Sequence, residues 1–484
     1  MKSNEKSYIA VTMGPIFDTM SLVSTPAALW VSSYMFSCIT KTICELLLEN
    51  GVKEEDIITP YFSKTEPDLL DKKDGVGLFH DRIIFVANNF DIKQFHPIKE
   101  KTLEKISNIF EIDLAYLTSY LQIAAVKYTA KNPILGCDSI LSSRELEKPF
   151  VAEDTKQPLL KLLFAKTGAS NERIKGVAQK LGIYEKWQLS EGSAIKDLDS
   201  IVKTKADSVL KKHRYYAIVR SDGDRMSQII SSLNEDGDFH NFSKSCLRYC
   251  SDISDEVAKF GGVTIYAGGD DLLAILPCES KDGKTPFEFI KKANEIFNAQ
   301  FESYHKPTSL SFGISMCYKK FPLYEALEDS AHLLFDVAKD KKYKNCSVIH
   351  LQKHAGQSEG VLIPNSALDD FLSFKNVVVK NEAAEKGERV ITSALHKLSL
   401  FEHLLQAADD GRETTFTVFK NMFDSGEQQT NFLHNQLPDF YHKLKTNLGI
   451  LALTDDGIQS NPVTTVAYVL RILKFFNEKA GDGK

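Results

Sequence analysis

Hydrophobic and polar positions in the middle of the chain follow a pattern that predicts alternating strands and helices. Short apolar runs between turn residues indicate strands, and apolar residues spaced three or four apart indicate helices. The predicted elements are strand 214–220, helix 240–260, hairpin 262–277, helix 286–303, strand 308–316, helix 323–339 and strand 346–351. This order contains the β-α-β-β-α-β arrangement of ferredoxin-like palm domains.

The pattern on either side of this unit predicts further elements and a division into domains. The N-terminal part is expected to form strand 7–13, helix 26–50, strands 57–62 and 81–87, and one or two helices over 98–130. Beyond the unit, the pattern indicates a loop at 356–364 and helices from 366 onward. The predicted domains are 1–131, a connecting helical and loop domain at 132–205, the palm unit at 206–360, and a C-terminal helical domain at 361–484.

Two acidic residues lie at the tip of the predicted hairpin, in the turn Gly268-Gly269-Asp270-Asp271. Glycine allows a tight turn and lets the backbone approach a ligand closely. Adjacent carboxylates repel each other, and proteins use such pairs to bind Mg²⁺ together with a nucleoside triphosphate. A solvated turn is the alternative interpretation of this motif taken alone.

A second acidic segment, Ser221-Asp222-Gly223-Asp224, ends the strand predicted before the hairpin. In palm-type polymerases and cyclases a strand-end acid and hairpin acids meet across neighbouring strands and bind two metal ions. The two segments together favour Asp222, Asp270 and Asp271 as metal ligands, with Gly223 admitting a phosphate to the backbone. Asp224 is predicted to cap the following helix, with a position facing the same site as the alternative.

Other candidate residues give weaker signals. Lys339 ends the predicted helix 323–339, where it could neutralise a triphosphate, although Lys residues also favour helix C-termini on a solvated face. The dipeptide His80-Asp81 lacks the further His and Asp partners of a dinuclear hydrolase site. The sequence contains no Gly-x-x-x-x-Gly-Lys-Ser/Thr motif, which disfavours ATPase chemistry of that kind.

Composition narrows the class of protein. The 484 residues are 43% hydrophobic and 26% charged, which is ordinary for a globular chain of several domains. The net charge of −6 argues against a protein that coats nucleic acid by itself. Eight scattered cysteines without a Cys-x-x-Cys pair predict reduced, buried thiols rather than a zinc site. We find no signal peptide or membrane span, so a cytoplasmic location is expected.

An ordered set of motifs resembles the large subunit of type III (Cmr-type) CRISPR RNA-guided complexes, whose palms are related to GGDEF proteins and nucleotidyl cyclases. The Gly268-Gly269-Asp270-Asp271 turn and the strand ending in Asp222 belong to this set. The other matching segments are Gly14-Pro15-Ile16-Phe17, Leu29-Trp30-Val31-Ser32-Ser33-Tyr34, Ser311-Phe312-Gly313-Ile314, Pro322-Leu323-Tyr324-Glu325-Ala326-Leu327, Ala338-Lys339 and Lys344-Asn345. The resemblance implies an α+β fold with two ferredoxin-like palm domains, a connecting domain and a C-terminal helical domain.

The chain also departs from the family pattern. Many members begin with an HD nuclease domain and carry a Cys-x-x-Cys zinc site between the palms, whereas this sequence is expected to be a variant without either. Phe17 and Ser32 replace the family's Gln and Gly in the early motifs. The expected lack of an HD domain argues against DNA cleavage by this chain, and the two substitutions affect contacts of the first palm. Neither departure changes the Asp pair.

The resemblance implies a target-RNA-activated nucleotidyltransferase of antiviral defence that makes a second messenger, usually cyclic oligoadenylate, from ATP. Mg²⁺ or Mn²⁺ would bind Asp222, Asp270 and Asp271, which are also the catalytic residues. The nucleotide would contact Ser221, Gly223, Gly268, Gly269 and Lys339. Its partners would be the other subunits of the ribonucleoprotein and, through them, guide and target RNA, with no membrane.

Three alternatives to this function remain open from the sequence. The same site could join AMP from ATP to S-adenosylmethionine, as some family members do. The chain could be a catalytically silent RNA-binding scaffold, which the intact Asp pair disfavours. A free-standing diguanylate cyclase is disfavoured by the palm-like N-terminal half and the helical C-terminal part.

Overall fold

The computed structural model describes most of the chain, and the fold is given for that part alone. The described residues are 6–21, 25–66, 77–88, 90–145, 176–177, 180, 198–202, 210–354, 356–382, 387–408, 411–424 and 430–478. Most of the predicted connecting domain, 132–205, lies outside them. The predicted boundaries of the four domains stay predictions.

The N-terminal part forms a four-stranded antiparallel sheet with the strand order β2-β3-β1-β4. Its strands are β1 (Lys6–Gly14), β2 (Ile57–Thr59), β3 (Ile83–Val86) and β4 (Gln122–Ala130). Its helices are α1 (Ile16–Ser21), α2 (Pro26–Glu49), α3 (Phe95–Phe110), α4 (Leu114–Tyr120) and α5 (Pro133–Glu145). The β-α-β-β-α-β order and this strand arrangement make it a ferredoxin-like palm, which we call the first palm.

A second sheet of eight strands contains the same arrangement in its β8-β5-β7-β6 part. Its strands are β5 (Tyr215–Asp224), β6 (Val263–Gly268), β7 (Asp271–Pro277), β8 (Ser309–Tyr318), β9 (Cys346–Gln352), β10 (Ser358–Pro364), β11 (Leu451–Thr454) and β12 (Gly457–Gln459). Strand β9 runs parallel to β8, and the other neighbouring strands are antiparallel. The prediction of an α+β fold with two ferredoxin-like palms is confirmed, and we call this unit the second palm.

Helices join the strands of the second palm and form the C-terminal part. A short helix α6 (Leu198–Val202) precedes β5, and α7 (Met226–Ser232), α8 (Asp236–Phe260), α9 (Pro286–Phe301) and α10 (Leu323–His332) follow it. A π-helix, Leu333–Ala338, continues α10. The later helices are α11 (Leu368–Glu382), α12 (Gly387–Leu400), α13 (Glu402–Ala407), α14 (Arg412–Met422), α15 (Leu437–Lys443) and α16 (Pro462–Phe475), with π-helical turns at Phe432–Gln436 and Leu444–Leu448.

Three predicted elements are wrong. Residues 122–130 form β4 rather than a helix, because this Ala-containing segment pairs along its whole length with β1, which overrides its local propensity. Residues 358–364 form β10 instead of a loop, since they pair with β9. A hairpin at 451–459 interrupts the predicted C-terminal helices, and its strands are too short to show a periodic pattern.

Helix α2 is the central helix of the first palm. Among the described residues it alone has the length and composition of a membrane span, and 72% of its most apolar window is buried inside the molecule. The sequence pattern alone predicts no such candidate. Trp30, Ile39 and Ile43 are fully buried in it, so it packs as a core helix against the first sheet.

None of the eight cysteines, all of which lie in the described part of the chain, forms a disulfide; seven are buried and Cys38 is partly buried. This confirms the prediction of reduced, buried cysteines. Burial raises the pKa of the Cys38 thiol to about 12. A thiol with so high a pKa carries little thiolate near neutral pH, so it is a poor nucleophile and metal ligand.

Candidate active site

Three acidic residues meet at one end of the second palm, where β5 ends and the β6–β7 turn begins. Ser221 and Leu272 are the last paired residues of β5 and β7. Asp222 and Asp271, the next residue on each strand, therefore lie side by side, and Asp270 precedes Asp271 in the turn. The structure thus brings together the three carboxylates that the sequence selects.

Gly223 allows the turn to pack against β5. A Cβ atom at this position would lie 2.5 Å from Oδ2 of Asp270 and 2.8 Å from Cγ of Met226, so glycine is required for the close approach. The turn glycines Gly268 and Gly269 lie on the other side of the acids, and Gly269 has a φ of +69°. Every predicted nucleotide-binding residue therefore lies on β5, in this turn or, for Lys339, after the π-helix.

The acids carry more negative charge than their surroundings can neutralise. Burial and the neighbouring charge of Asp222 raise the pKa of Asp270 to about 7, although Lys339 lowers it. Burial and the charges of Asp270 and Asp222 raise the pKa of Asp271 well above its ordinary value. Without a cation, these two carboxyl groups therefore retain protons at a pH where ordinary aspartates are ionised.

Lys339 provides the positive charge closest to the acids. Its Nζ lies 2.6 Å from Oδ2 of Asp222 and 3.0 Å from Oδ1 of Asp224, and it donates a 2.6 Å hydrogen bond to the carbonyl of Gly223. Burial lowers the pKa of Lys339, but Asp222 and Asp224 outweigh that effect and raise it. The side chain is therefore a charged ammonium held at the end of β5.

Asp224 does not cap the following helix, so that prediction is wrong. Its side chain is 1% exposed and accepts hydrogen bonds from the hydroxyls of Ser309 and Ser311 and from the backbone N–H of Asn345. Strand β5 continues through Asp224 because it pairs with β8 as far as Ser309, which turns the side chain away from the next helix. The first residue before α7 is Arg225, in a left-handed conformation.

The donor set fits a divalent cation of the hard, oxygen-binding type. In the described part of the chain, no group of three or more His, Cys, Asp or Glu side chains is arranged to hold a metal ion. Mg²⁺ commonly uses one or two protein carboxylates and completes its shell with substrate phosphates and water. The raised pKa values of Asp270 and Asp271 show that a positive charge here would relieve repulsion.

A cavity of about 760 Å³ lies between the two palms and reaches Asp271. The first palm contributes apolar residues such as Leu29 and Phe36, and the second contributes Leu273 and one face of α10 with the π-helix. The residues of that face are Tyr324, Leu327, Glu328, Ala331, Leu334 and Phe335. The rings of Tyr324 and Phe335 are 54% and 48% exposed, so they offer surfaces on which a planar base can stack.

The charges that line this cavity are unevenly distributed. The first palm contributes the carboxylates of Asp18, Asp81 and Glu145, whereas Arg220 is the basic residue among the described lining. Burial and the charge of Glu145 raise the pKa of Asp81 to about 6. Arg82 binds Glu145 through Nε at 2.9 Å and so neutralises part of this charge.

Arg220 is a candidate functional residue that the sequence analysis overlooked. Its Nε donates a 3.1 Å hydrogen bond to Oγ of Ser330. Burial lowers the pKa of its guanidinium to about 10, with Asp271 acting in the opposite direction. The signal was present in the sequence, because a charged residue interrupts the apolar run of β5.

His80 has a structural role. Its Nε2 lies 2.8 Å from the hydroxyl of Thr59, and its Nδ1 accepts a hydrogen bond from the N–H of Arg82. Burial lowers the pKa of the imidazole to about 4, so the ring is neutral at physiological pH. These contacts agree with the interpretation that His80-Asp81 is not a dinuclear hydrolase site.

The comparison with known protein families decides the assignment of the second palm. Residues 215–348 match the family model described as Cas10/Cmr2, second palm domain. The chain contains a Cas10/Cmr2 second palm domain. It is also similar to the CRISPR system Cmr subunit Cmr2 of Pyrococcus furiosus, with 30% identity over 297 residues. That match covers 55% of this chain and 32% of the relative, so the chain matches about a third of the relative's length.

Solved structures show the same fold for the chain as a whole. A cryo-EM structure of the type III-B Cmr-beta bound to cognate target RNA matches with a TM-score of 0.60 and 12% identity, over 99% of this chain and 84% of that chain. A crystal structure of the Csm1–Csm4 cassette in complex with cA4 matches with a TM-score of 0.56 and 15% identity, over 97% and 70%. The same cassette in complex with one ATP has a TM-score of 0.55 and 14% identity, over 99% and 70%.

Proposed function

We propose that this chain is the large subunit of a cytoplasmic type III CRISPR ribonucleoprotein and a target-RNA-activated nucleotidyltransferase that makes a signalling nucleotide from ATP. The observation that carries the proposal is the cluster of Asp222, Asp270, Asp271 and Lys339 at the end of a cavity between two palms. The similar Csm1–Csm4 cassettes in complex with ATP, cA3 and cA4 support cyclic oligoadenylate as the product.

The reaction would join the 3′-oxygen of an acceptor ribose to the α-phosphorus of ATP and break the bond to the β-phosphate, which releases pyrophosphate. Asp222, Asp270 and Asp271 would hold the divalent cations. Such cations lower the pKa of the hydroxyl and stabilise charge that develops on the phosphoryl oxygens. Lys339 would bind a phosphate, and the cavity between the palms would hold the bases and exclude water.

The chain's net charge bears on its partners. A charge of −6 does not supply the basic surface that neutralises an RNA backbone. We therefore place most phosphate contacts on other subunits of the complex, with this chain sensing target RNA through them. The match to the Cmr-beta structure bound to cognate target RNA supports target RNA as a ligand of such a complex.

Conjugation of AMP to S-adenosylmethionine is the second candidate, and the cavity charges favour it over two ATP molecules. Asp18, Asp81 and Glu145 on the first-palm side would repel a second triphosphate and attract the sulfonium and ammonium groups. Arg220, on the opposite palm, has the charge to bind a carboxylate. A cationic co-substrate therefore suits the first-palm side of the cavity better than a second nucleotide.

The test uses the reconstituted complex with guide and target RNA, Mg²⁺ or Mn²⁺, and α-labelled ATP, with and without S-adenosylmethionine. Mass spectrometry of the products distinguishes the candidates. Oligoadenylate formed without S-adenosylmethionine supports the first, and a product that requires S-adenosylmethionine supports the second. Loss of product in Asp270→Asn/Asp271→Asn with normal assembly assigns the reaction to this site. No product with target RNA bound would leave the chain a scaffold.

A further inference from the structure

Asp224 connects three separate segments of the second palm. Its carboxylate accepts hydrogen bonds from Ser309 Oγ at 2.9 Å, Ser311 Oγ at 2.8 Å, the Asn345 N–H at 2.9 Å and Lys339 Nζ at 3.0 Å. A buried carboxylate with four donors is fully satisfied. It therefore has no free oxygen for a cation, in contrast to the acids of the β6–β7 turn.

Two of the donors lie at the two ends of one loop. Lys339 begins the connection from the π-helix to β9, and Asn345 ends it. Lys344 and Asn345 both have positive φ values, 49° and 50°, a conformation that needs support from surrounding contacts. Asp224 supplies that support and thereby fixes the backbone position from which the Lys339 side chain extends.

The ammonium of Lys339 contacts three oxygen atoms. It forms an ion pair with Oδ2 of Asp222 at 2.6 Å and donates hydrogen bonds to the Gly223 carbonyl at 2.6 Å and to Oδ1 of Asp224. In this arrangement Lys339 occupies Oδ2 of Asp222, one of the two oxygens through which Asp222 would bind a divalent cation. Lys339 must give up part of this contact before it can bind a phosphate, and its ammonium competes with a metal ion for the Asp222 carboxylate.

We propose that Asp224 is a positioning residue that holds Lys339 on Asp222, so that a divalent cation and a triphosphate each bind more tightly once the other is present. This inference rests on the proposed function of the site. A triphosphate draws the ammonium away from Asp222 and exposes its carboxylate. A cation on Asp222 displaces the ammonium toward the phosphates. Because coupling between two ligands is reciprocal, each ligand strengthens the other by the same factor.

Binding of Mn²⁺ to the full-length chain without nucleotide or RNA tests this proposal, measured by the loss of the free Mn²⁺ EPR signal. Lys339→Met is expected to tighten Mn²⁺ binding about tenfold, because the competing ammonium is gone. Lys342→Met is the matched control, since Lys342 is an exposed lysine of the same loop. Equal Mn²⁺ affinities of Lys339→Met and the wild type would show that the ammonium does not compete with the cation for Asp222.

Asp224→Asn separates positioning from a general structural role. It keeps an oxygen acceptor for the serine hydroxyls but removes the charged partner that holds Lys339 beside Asp222, so Mn²⁺ binding should tighten by about threefold or more. In a Lys339→Met background this effect should shrink, which a double-mutant cycle measures. An Asp224→Asn effect of equal size in both backgrounds would overturn the positioning role.

The Mn²⁺-binding measurement is independent of the synthesis assay. It needs neither ATP nor target RNA, so a failure to detect a product leaves its outcome unaffected, and the converse also holds. Thermal melts check that each variant is folded. If Asp224→Asn does not fold, the comparison of Lys339→Met with Lys342→Met still decides whether the ammonium competes for Asp222.

Discussion

Gly313 of β8 lies directly beneath Leu334 of the π-helix. A Cβ atom on Gly313 would be 2.5 Å from the backbone nitrogen of Leu334 and 2.9 Å from its Cβ. The backbone N–H of Lys339 in turn donates a 2.8 Å hydrogen bond to the carbonyl of Leu334. The position of Lys339 at the candidate active site therefore depends on a close contact between a strand and a helix.

Gly313→Ala is expected to displace the π-helix and to destabilise the protein by about 1–3 kcal/mol, because the contact is to rigid backbone rather than to a flexible side chain. Lys339 would move with the helix, so nucleotide synthesis should fall by more than the loss of folded protein explains. Urea unfolding and a synthesis assay measure the two effects. Gly237→Ala is the control, since nothing lies within 4 Å of a Cβ at that position. A Gly313→Ala protein with wild-type stability would contradict this account.

The raised pKa of Asp270 predicts a pH-dependent stability. Its carboxyl has a pKa of about 7 in the folded chain against an ordinary value of 3.8. The folded state therefore binds more protons at this group than the unfolded state between these values, so the contribution of Asp270 to stability is greatest below the ordinary pKa and is lost as the pH rises through 7. In metal-free buffer, wild-type Tm should fall more between pH 5 and pH 8 than the Tm of Asp270→Asn.

Mg²⁺ supplies the control for this prediction. At pH 8, Mg²⁺ should raise the wild-type Tm, because a cation replaces the lost proton, and it should raise the Tm of Asp270→Asn much less. Parallel pH curves for the two proteins would show that burial at Asp270 does not control this titration.

The sequence predicted the elements correctly where apolar runs are bounded by turn residues. The hairpin that carries Asp270 and Asp271 and the strand that carries Asp222 both lie where the pattern predicts them. Strand β4 was missed because its pairing with β1 is a long-range contact, and its composition does not favour a strand strongly.

The surroundings of the acids were harder to predict. The role of Asp224 depends on donors from β8 and from the loop before β9, which lie more than 80 residues away in the sequence. The cavity likewise combines residues of both palms, from Met13 to Phe335. Such sites arise from the packing of whole units, which no local pattern describes.

The two exposed aromatic rings of the cavity predict a contribution to base binding. Phe335 lies one turn before Lys339. If Lys339 binds the phosphates of ATP as proposed, Phe335 should stack on the base of the same nucleotide. Phe335→Ala should therefore raise the KM for ATP about five- to 150-fold, the range that aromatic–base stacking supplies. The binding of inorganic tripolyphosphate should not change, because it has no base.

Leu404→Ala is the matched control for Phe335→Ala, since Leu404 is a similarly exposed apolar residue outside the cavity. It should leave both affinities unchanged. Equal losses of ATP and tripolyphosphate binding in Phe335→Ala would indicate a displaced helix rather than a lost stacking surface.

Asp81 distinguishes a cationic co-substrate from a second nucleotide. The carboxyl lies in the first-palm wall of the cavity, where burial and Glu145 raise its pKa to about 6. If S-adenosylmethionine binds there, Asp81→Asn should raise its KM by about tenfold, because a charged partner is lost, while the KM for ATP stays constant. If two ATP molecules occupy the cavity, the same substitution removes a repulsive charge and should lower the KM for ATP. Steady-state kinetics of the reconstituted complex measure both constants, and Asp138→Asn provides the control, because Asp138 contacts Arg82 from the exposed side and is not among the residues that line the cavity.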